Sequence, residues 1–194
     1  MAADRTTRAD FEAYSGTARL LHWLVAVIVL GLVTSGLIMV YRGKDLNIWD
    51  DLTNNLYTTH KTAGLVLLAL VIVRLGYRLI NGAPSDEPTL TAAHRGVSHA
   101  VHWSIYALLL VIPLLGWTGI SMFPALGTFG GFTIPALTSP DKETAGVVLW
   151  WHGLAAYVLI SLILLHILAA LYHHVIRGDN VLRRMLPGLS RRQD

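Results

Sequence analysis

The sequence predicts an all-α membrane protein, a four-helix transmembrane bundle with both termini in the cytoplasm. Three observations lead there: four long apolar runs, a composition unlike that of a soluble domain, and a lopsided distribution of Lys and Arg. Of 194 residues, 54% are hydrophobic and 14% charged, and the mean hydropathy is +0.53. A chain with so few polar residues cannot cover a water-facing surface with them.

The runs extend from Ala18 to Val40, Thr62 to Ile80, Val101 to Met122 and Val147 to Tyr172. Each is near the roughly 20 residues that cross about 30 Å of hydrocarbon at about 1.5 Å per residue. With their polar ends included, the spans are read as 18–40, 60–80, 99–122 and 147–174 of a single domain covering 1–194. The first run follows a tail with Asp4, Arg5, Arg8, Asp10 and Glu12. It is too long for a signal h-region and no small-residue cleavage site follows, so it is expected to be retained. Asn81-Gly82-Ala83-Pro84 closes the second span, and Phe123-Pro124, Gly130-Gly131 and Pro135 interrupt the loop after the third. Pro113, inside the third run, is expected to kink that helix and free a backbone carbonyl.

Orientation follows from the basic residues, which are retained on the cytoplasmic side during insertion. With four spans, one side carries Arg5, Arg8, Arg19, Arg74, Arg78, Arg95, Arg177, Arg183, Arg184, Arg191 and Arg192, against Arg42, Lys44, Lys61 and Lys142 on the other. Both termini are therefore expected inside, and Tyr41–Tyr57 and Phe123–Ala145 form the outer loops. The same asymmetry accounts for a pI near 9.4 without invoking nucleic acid. The absence of cysteine excludes disulfides, thiolate-held iron–sulfur clusters and covalently attached c-type haem.

The residues that carry chemistry are histidines. His22 lies about one turn inside the cytoplasmic end of the first helix, and His60 precedes the apolar part of the second, near the outer face. The fourth helix runs inward, which puts His152 near the outer face and His166 near the cytoplasmic one. Two depths match: His60 with His152, and His22 with His166. Within the fourth helix, 14 residues at about 100° each fall only about 40° short of four turns, so both of its histidines share a face about 21 Å apart along the axis.

Neutral imidazole binds haem iron strongly, and two of them fill both axial positions, favouring electron transfer over oxygen chemistry. Two haem b groups, stacked across the bilayer and held non-covalently, are the cofactors this pattern suits. The competing reading, histidines as interhelical hydrogen-bonding residues, explains one such residue better than four at paired depths. Arg74 follows His60 by the same step and projects at the level of the inner haem, where a guanidinium suits a propionate or a quinone carbonyl; snorkelling beside Arg78 is the alternative. His99 and His102, on one face at the start of the third helix, are rival ligands for the inner haem or candidates for proton exchange with a quinone. His173 and His174 sit at the interface, with proton uptake as their functional alternative.

The chain resembles the bacterial cytochrome b561 family of small di-haem membrane proteins. The matching segments are Tyr14-Ser15, Leu21-His22-Trp23-Leu24, His60-Lys61-Thr62-Ala63-Gly64, Val73-Arg74-Leu75, Ser98-His99-Ala100-Val101-His102, Ile105-Tyr106, Pro113-Leu114-Leu115-Gly116, Trp151-His152, His166 and Tyr172-His173-His174. They continue from Gly178 to Pro187 and together cover about residues 14–188. The resemblance implies iron ligands at His22 and His166 for the inner haem and at His60 and His152 for the outer one. It also implies a bacterial inner-membrane oxidoreductase that oxidises superoxide, or takes electrons from another outer-side donor, and reduces ubiquinone in the lipid bilayer.

Lys61, with Arg42 and Lys44, is a candidate for attracting the superoxide anion. The outer loops nevertheless carry Asp45, Asp50, Asp51, Asp141 and Glu143, five acids against four bases, and the sequence shows no positive funnel. A second reading is a quinone-reactive anchor subunit for a peripheral dehydrogenase or hydrogenase, with the Phe123–Ala145 loop as its docking surface. A third, a haem-free transporter or structural bundle, predicts a colourless protein.

Overall fold

The computed structural model describes residues 12–186; Arg5, Arg8, Arg191 and Arg192 of the charge asymmetry lie outside them. Four helices make up most of this stretch: α1 (Gly16–Val40), α2 (Asp51–Asn81), α3 (Ala92–Met122) and α4 (Lys142–Tyr172). α1 and α4 each continue into one wider π-type turn, Tyr41–Asp45 and His173–Arg177. All four helices are long and apolar enough to cross a membrane, and no strand occurs among the described residues.

Each helix begins on a side chain that accepts an otherwise free N–H of the first turn. Ser15 accepts from Ala18 at 3.2 Å, Asp50 from Thr53 at 2.9 Å, Thr91 from His94 at 3.3 Å and Asp141 from Thr144 at 3.1 Å. Such caps contribute about 1 kcal/mol each. They explain why α2, α3 and α4 start upstream of their apolar runs: the cap, not hydrophobicity, sets the first turn. The polar segment 51–57, expected within an outer loop, is thus helical, and the helix runs on into His60. Pro113 lies within a continuous α3, buried among its neighbours.

The bundle is inside-out by the standards of a soluble protein. Val27 is 68% exposed and Ile80 84%, a surface that would be costly in water and that hydrocarbon solvates without penalty. The interior is a thin seam in which Val25 and Val29 of α1 meet Leu67 and Val71 of α2, Leu109 of α3 and Leu159 of α4. The close helix pairings are α1 with α2, α2 with α3 and α3 with α4. α4 makes no comparably close approach to α1 or α2, the two helices that face it with histidines.

The two ends differ. At the loop end, residues 126–134 fold into a tight hairpin, with Thr128 N donating to Phe132 O at 2.8 Å and Ile134 N to Leu126 O at 3.0 Å. Gly130 and Gly131 turn it at φ 70° and 77°, a conformation that glycine adopts without strain. Trp117 Nε1 on α3 donates to Pro135 O at 2.8 Å and fastens the hairpin's return. At the terminal end, the segment after α4 straps the helix ends together. Arg184 is ion-paired to Glu87 at 3.3 Å with both side chains about 10% exposed, and Arg19 and Trp23 of α1 donate to the carbonyls of Leu186 and Met185.

Candidate functional site

The four histidines at matched depths are brought together in two pairs. His22 of α1 faces His166 of α4 with ring centroids 6.3 Å apart, and His60 of α2 faces His152 of α4 at 6.1 Å. The first pair lies toward the terminal end and the second toward the loop end. Metal–imidazole bonds are about 2 Å long, and a ring nitrogen lies about 1 Å from its centroid. Two imidazoles on opposite sides of one ion therefore have centroids about 6 Å apart, the spacing of both pairs. The rings stand nearly perpendicular within each pair, at 69° and 77°.

The loop-end pair is seated by its neighbours in two matching ways. His152 Nδ1 donates to the carbonyl of Ile112 on α3 at 2.8 Å. A Cβ placed at Gly116, one turn further on, would stand 3.1 Å from His152 Cε1 and 3.2 Å from its Nδ1. His60 Nδ1 lies 3.3 Å from Ser35 Oγ on α1, whose hydroxyl donates to Leu32 O. A Cβ at Gly36 would lie 3.1 Å from His60 Cε1. In both cases a helix gives up a side chain so that an imidazole from the next helix can lie against its backbone. Donation from Nδ1 fixes the tautomer and leaves the lone pair of the other nitrogen free for a metal.

The terminal-end pair has an arginine at its side and a second one nearby. Arg74 Nη2 is 3.2 Å from His22 Nδ1, and its Nη1 donates to Ala18 O at 3.0 Å. The Arg74 and Arg78 guanidinium groups lie 5.7 and 5.9 Å from the centre of the buried Tyr106 ring. Neither has a carboxylate partner among the described residues, although Glu87 and Asp179 at the same end are each paired with another arginine. A cavity between Tyr14, Leu21, Tyr77, Tyr106 and the two arginines opens beside them.

The rival histidines separate. His99 turns outward to Asp86, with Nε2 3.1 Å from its carboxylate. His102 turns inward to within 5.0 Å of His166, closer than two axial ligands on one ion can stand, and its Nδ1 donates to Ser98 O at 2.7 Å. His173 is bound to Asp179, and His174 is exposed. Lys61 does not project free at the loop end: its ammonium donates to Ala125 O and Gly127 O at 2.8 and 2.7 Å and holds the root of the hairpin. Arg42 is paired with Asp50. The Thr53 backbone N–H and the Arg42 guanidinium hold the Asp50 carboxyl well below the usual carboxylate range.

Sequence reasoning missed Ser35, Gly36, the Ile112 carbonyl, Gly116, and the pairing of Arg78 with Arg74 around Tyr106. The available signal was a glycine one turn beyond Leu32 and another one turn beyond Ile112, each in an apolar helix. Glycine is too common in membrane helices for that to stand out.

The model of the family described as prokaryotic cytochrome b561 matches residues 13–188. The chain belongs to the prokaryotic cytochrome b561 family. Cytochrome b561 homolog 2 of Escherichia coli is 30% identical over 90% of this chain and 92% of its own length. The probable superoxide oxidase CybB of Yersinia pestis is 27% identical over 86% and 92%. Cytochrome b562 of Cereibacter sphaeroides is 29% identical over 86% and 90%. Family membership makes this chain a multi-pass bacterial membrane protein of electron transfer that carries haem b. The site suits that group in three respects: imidazoles in facing pairs, the spacing across each pair, and glycine-lined seats for the loop-end rings.

Proposed function

We propose that the chain holds two haem b groups, His22 and His166 binding the one near the terminal end and His60 and His152 the one near the loop end. The reading rests on one observation: two facing imidazole pairs, each at the separation a shared iron needs, both completed by α4. Haem held by these imidazoles would supply reversible one-electron chemistry. The chain's own contribution is to hold ligand tautomers through Ile112 O and Ser35, to place positive charge at Arg74 and Arg78, and to enclose the pairs in hydrocarbon. Residues 1–194 form a single functional unit.

The loop end faces outward, both termini are cytoplasmic, and the membrane is the bacterial inner membrane. The basic residues support this, since Arg19, Arg74, Arg78, Arg95, Arg177, Arg183 and Arg184 all belong to the terminal-end side. The substrates are superoxide outside and ubiquinone in the bilayer, which makes the protein a superoxide:quinone oxidoreductase. Two superoxide anions each lose one electron and become dioxygen; two electrons and two protons convert one quinone to quinol. The relative named as a probable superoxide oxidase supports this choice of donor. Lys61 and Arg42, both tied to local partners, have less freedom to draw in the anion than their sequence positions imply.

The anchor-subunit alternative draws support from the hairpin, whose tip exposes Phe129 and Phe132 in a stretch without charge from Phe123 to Pro140. Stopped-flow mixing of the purified holoprotein with superoxide, with and without ubiquinone, separates the two. Reduction of both b-type absorption bands, followed by quinone-dependent reoxidation, supports the oxidase. Absence of reduction by superoxide, with an iron–sulfur protein co-purifying, refutes it.

A further inference from the structure

The environments of the two histidine pairs are opposite in electrical sense. At the loop end both imidazoles have acceptors at Nδ1, the Ile112 carbonyl at 2.8 Å and the Ser35 hydroxyl at 3.3 Å. A ligand histidine that donates its second N–H becomes more basic and stabilises the more positive, oxidised metal. At the terminal end the group beside His22 is the Arg74 guanidinium, which offers an Nδ1–H no acceptor. Arg74 is anchored to Ala18 O at 3.0 Å and lies over Tyr106, so its charge stays near the pair. Arg78 adds a second charge across the same ring. Among the described residues His166 has no hydrogen-bond acceptor, and the His102 ring stands nearly perpendicular to it with centroids 5.0 Å apart. A cation fixed in a medium of low dielectric favours the state with one more electron.

The charges elsewhere at the two ends do not cancel this difference. At the loop end Lys61 is bound to two carbonyls and Arg42 to Asp50. At the terminal end the acids Asp86, Glu87 and Asp179 face His99, Arg184, and His173 with Arg177 respectively, and Glu12 accepts from the N–H and hydroxyl of Ser85. Neither arginine near Tyr106 thus has a protein carboxylate to offset it among the described residues, and Arg74 is the one that reaches His22.

We propose that Arg74 and Arg78, against the acceptors Ile112 O and Ser35, set the reduction potential of the terminal-end site above that of the loop-end site, giving the bundle a built-in direction for electrons from loop end to terminal end. The inference rests on the ligand assignment proposed above. Arg74 and Arg78 are positioning residues here, acting on the group that His22 and His166 hold, and their role is read in a potential.

The experiment is an anaerobic spectroelectrochemical titration of the holoprotein in detergent, with haem content measured on the same sample. Wild type should show two one-electron waves. In Arg74→Gln, with both haems retained, the higher wave should move down and the lower stay in place; Arg78→Gln should do the same to a smaller extent. In His152→Ala, which removes the loop-end ligand, the surviving wave should be the higher one and should still respond to Arg74→Gln. A surviving lower wave in His152→Ala, or an Arg74→Gln shift confined to the lower wave, overturns the proposed direction and leaves the ligand set intact. A wild-type protein with one haem per chain overturns the ligand set, and the inference with it. If Arg74→Gln fails to retain haem, Arg78→Gln in the wild-type and His152→Ala backgrounds decides the matter by the same criteria.

Discussion

Replacing Gly116 by alanine tests the seat of the loop-end ligands. The added methyl would stand 3.1 Å from His152 Cε1 and 3.2 Å from Nδ1, where comfortable carbon contacts are about 3.5–4.0 Å. The imidazole must retreat by roughly half an ångström, which strains the 2.8 Å bond to Ile112 O and shifts the ring relative to the facing His60. Overpacking of this kind costs about 1–3 kcal/mol, and at about 1.4 kcal/mol per tenfold that is roughly a five- to hundredfold weaker hold on haem. Gly31→Ala is the control, since Gly31 is exposed and a methyl there meets nothing within 4 Å. The assay is haem loss to excess apomyoglobin, followed by the b-type absorption bands. Gly116→Ala should lose one haem much faster than wild type and keep the other, with Gly31→Ala indistinguishable from wild type. Equal rates for Gly116→Ala and wild type would show that the close approach of Gly116 to His152 has no part in holding haem.

Three further outcomes are expected. Asp50 has its carboxyl depressed to about 2 by the Thr53 N–H and Arg42, so its contribution is present above the ordinary carboxylate value and is lost as pH falls toward 2. Melting in detergent should fall between pH 4 and pH 2 by less in Asp50→Asn than in wild type, and an identical fall would deny Asp50 this role. Lys61→Met removes both bonds to the hairpin root and should speed amide exchange across Leu126–Ile134 while sparing α2; unchanged exchange would show that Trp117 and the Phe132–Thr128 bonds suffice. A reporter fused after Asp194 should be active only in its cytoplasmic form, and a periplasmic signal would invert the orientation.

The four helices were legible in the sequence because apolar length alone reveals a span when every backbone polar group must be satisfied within its own segment. The facing of His22 with His166 and of His60 with His152 was legible too, since depth along antiparallel helices is simple arithmetic in residue number. The starts of α2, α3 and α4 were placed late because Asp50, Thr91 and Asp141 nucleate helix outside the apolar runs, where hydropathy gives no signal. The role of Lys61 could not be read from its position beside His60, because its partners, Ala125 O and Gly127 O, are backbone atoms of a distant loop. The separation of His99 from His102 depended on Asp86 capturing one of them, and consecutive turns of one helix cannot show which ring turns inward. Ile112 O became an acceptor through the absence of a side chain at Gly116, a feature that residue chemistry does not announce.

If two pairs of imidazoles each grip a haem, one chain holds two. Pyridine haemochrome analysis of protein expressed with ample haem supply, scaled to protein by amino-acid analysis, counts them. Two b-type haems per chain are expected in wild type and one in His152→Ala; one per chain in wild type, or two in His152→Ala, would overturn the ligand set.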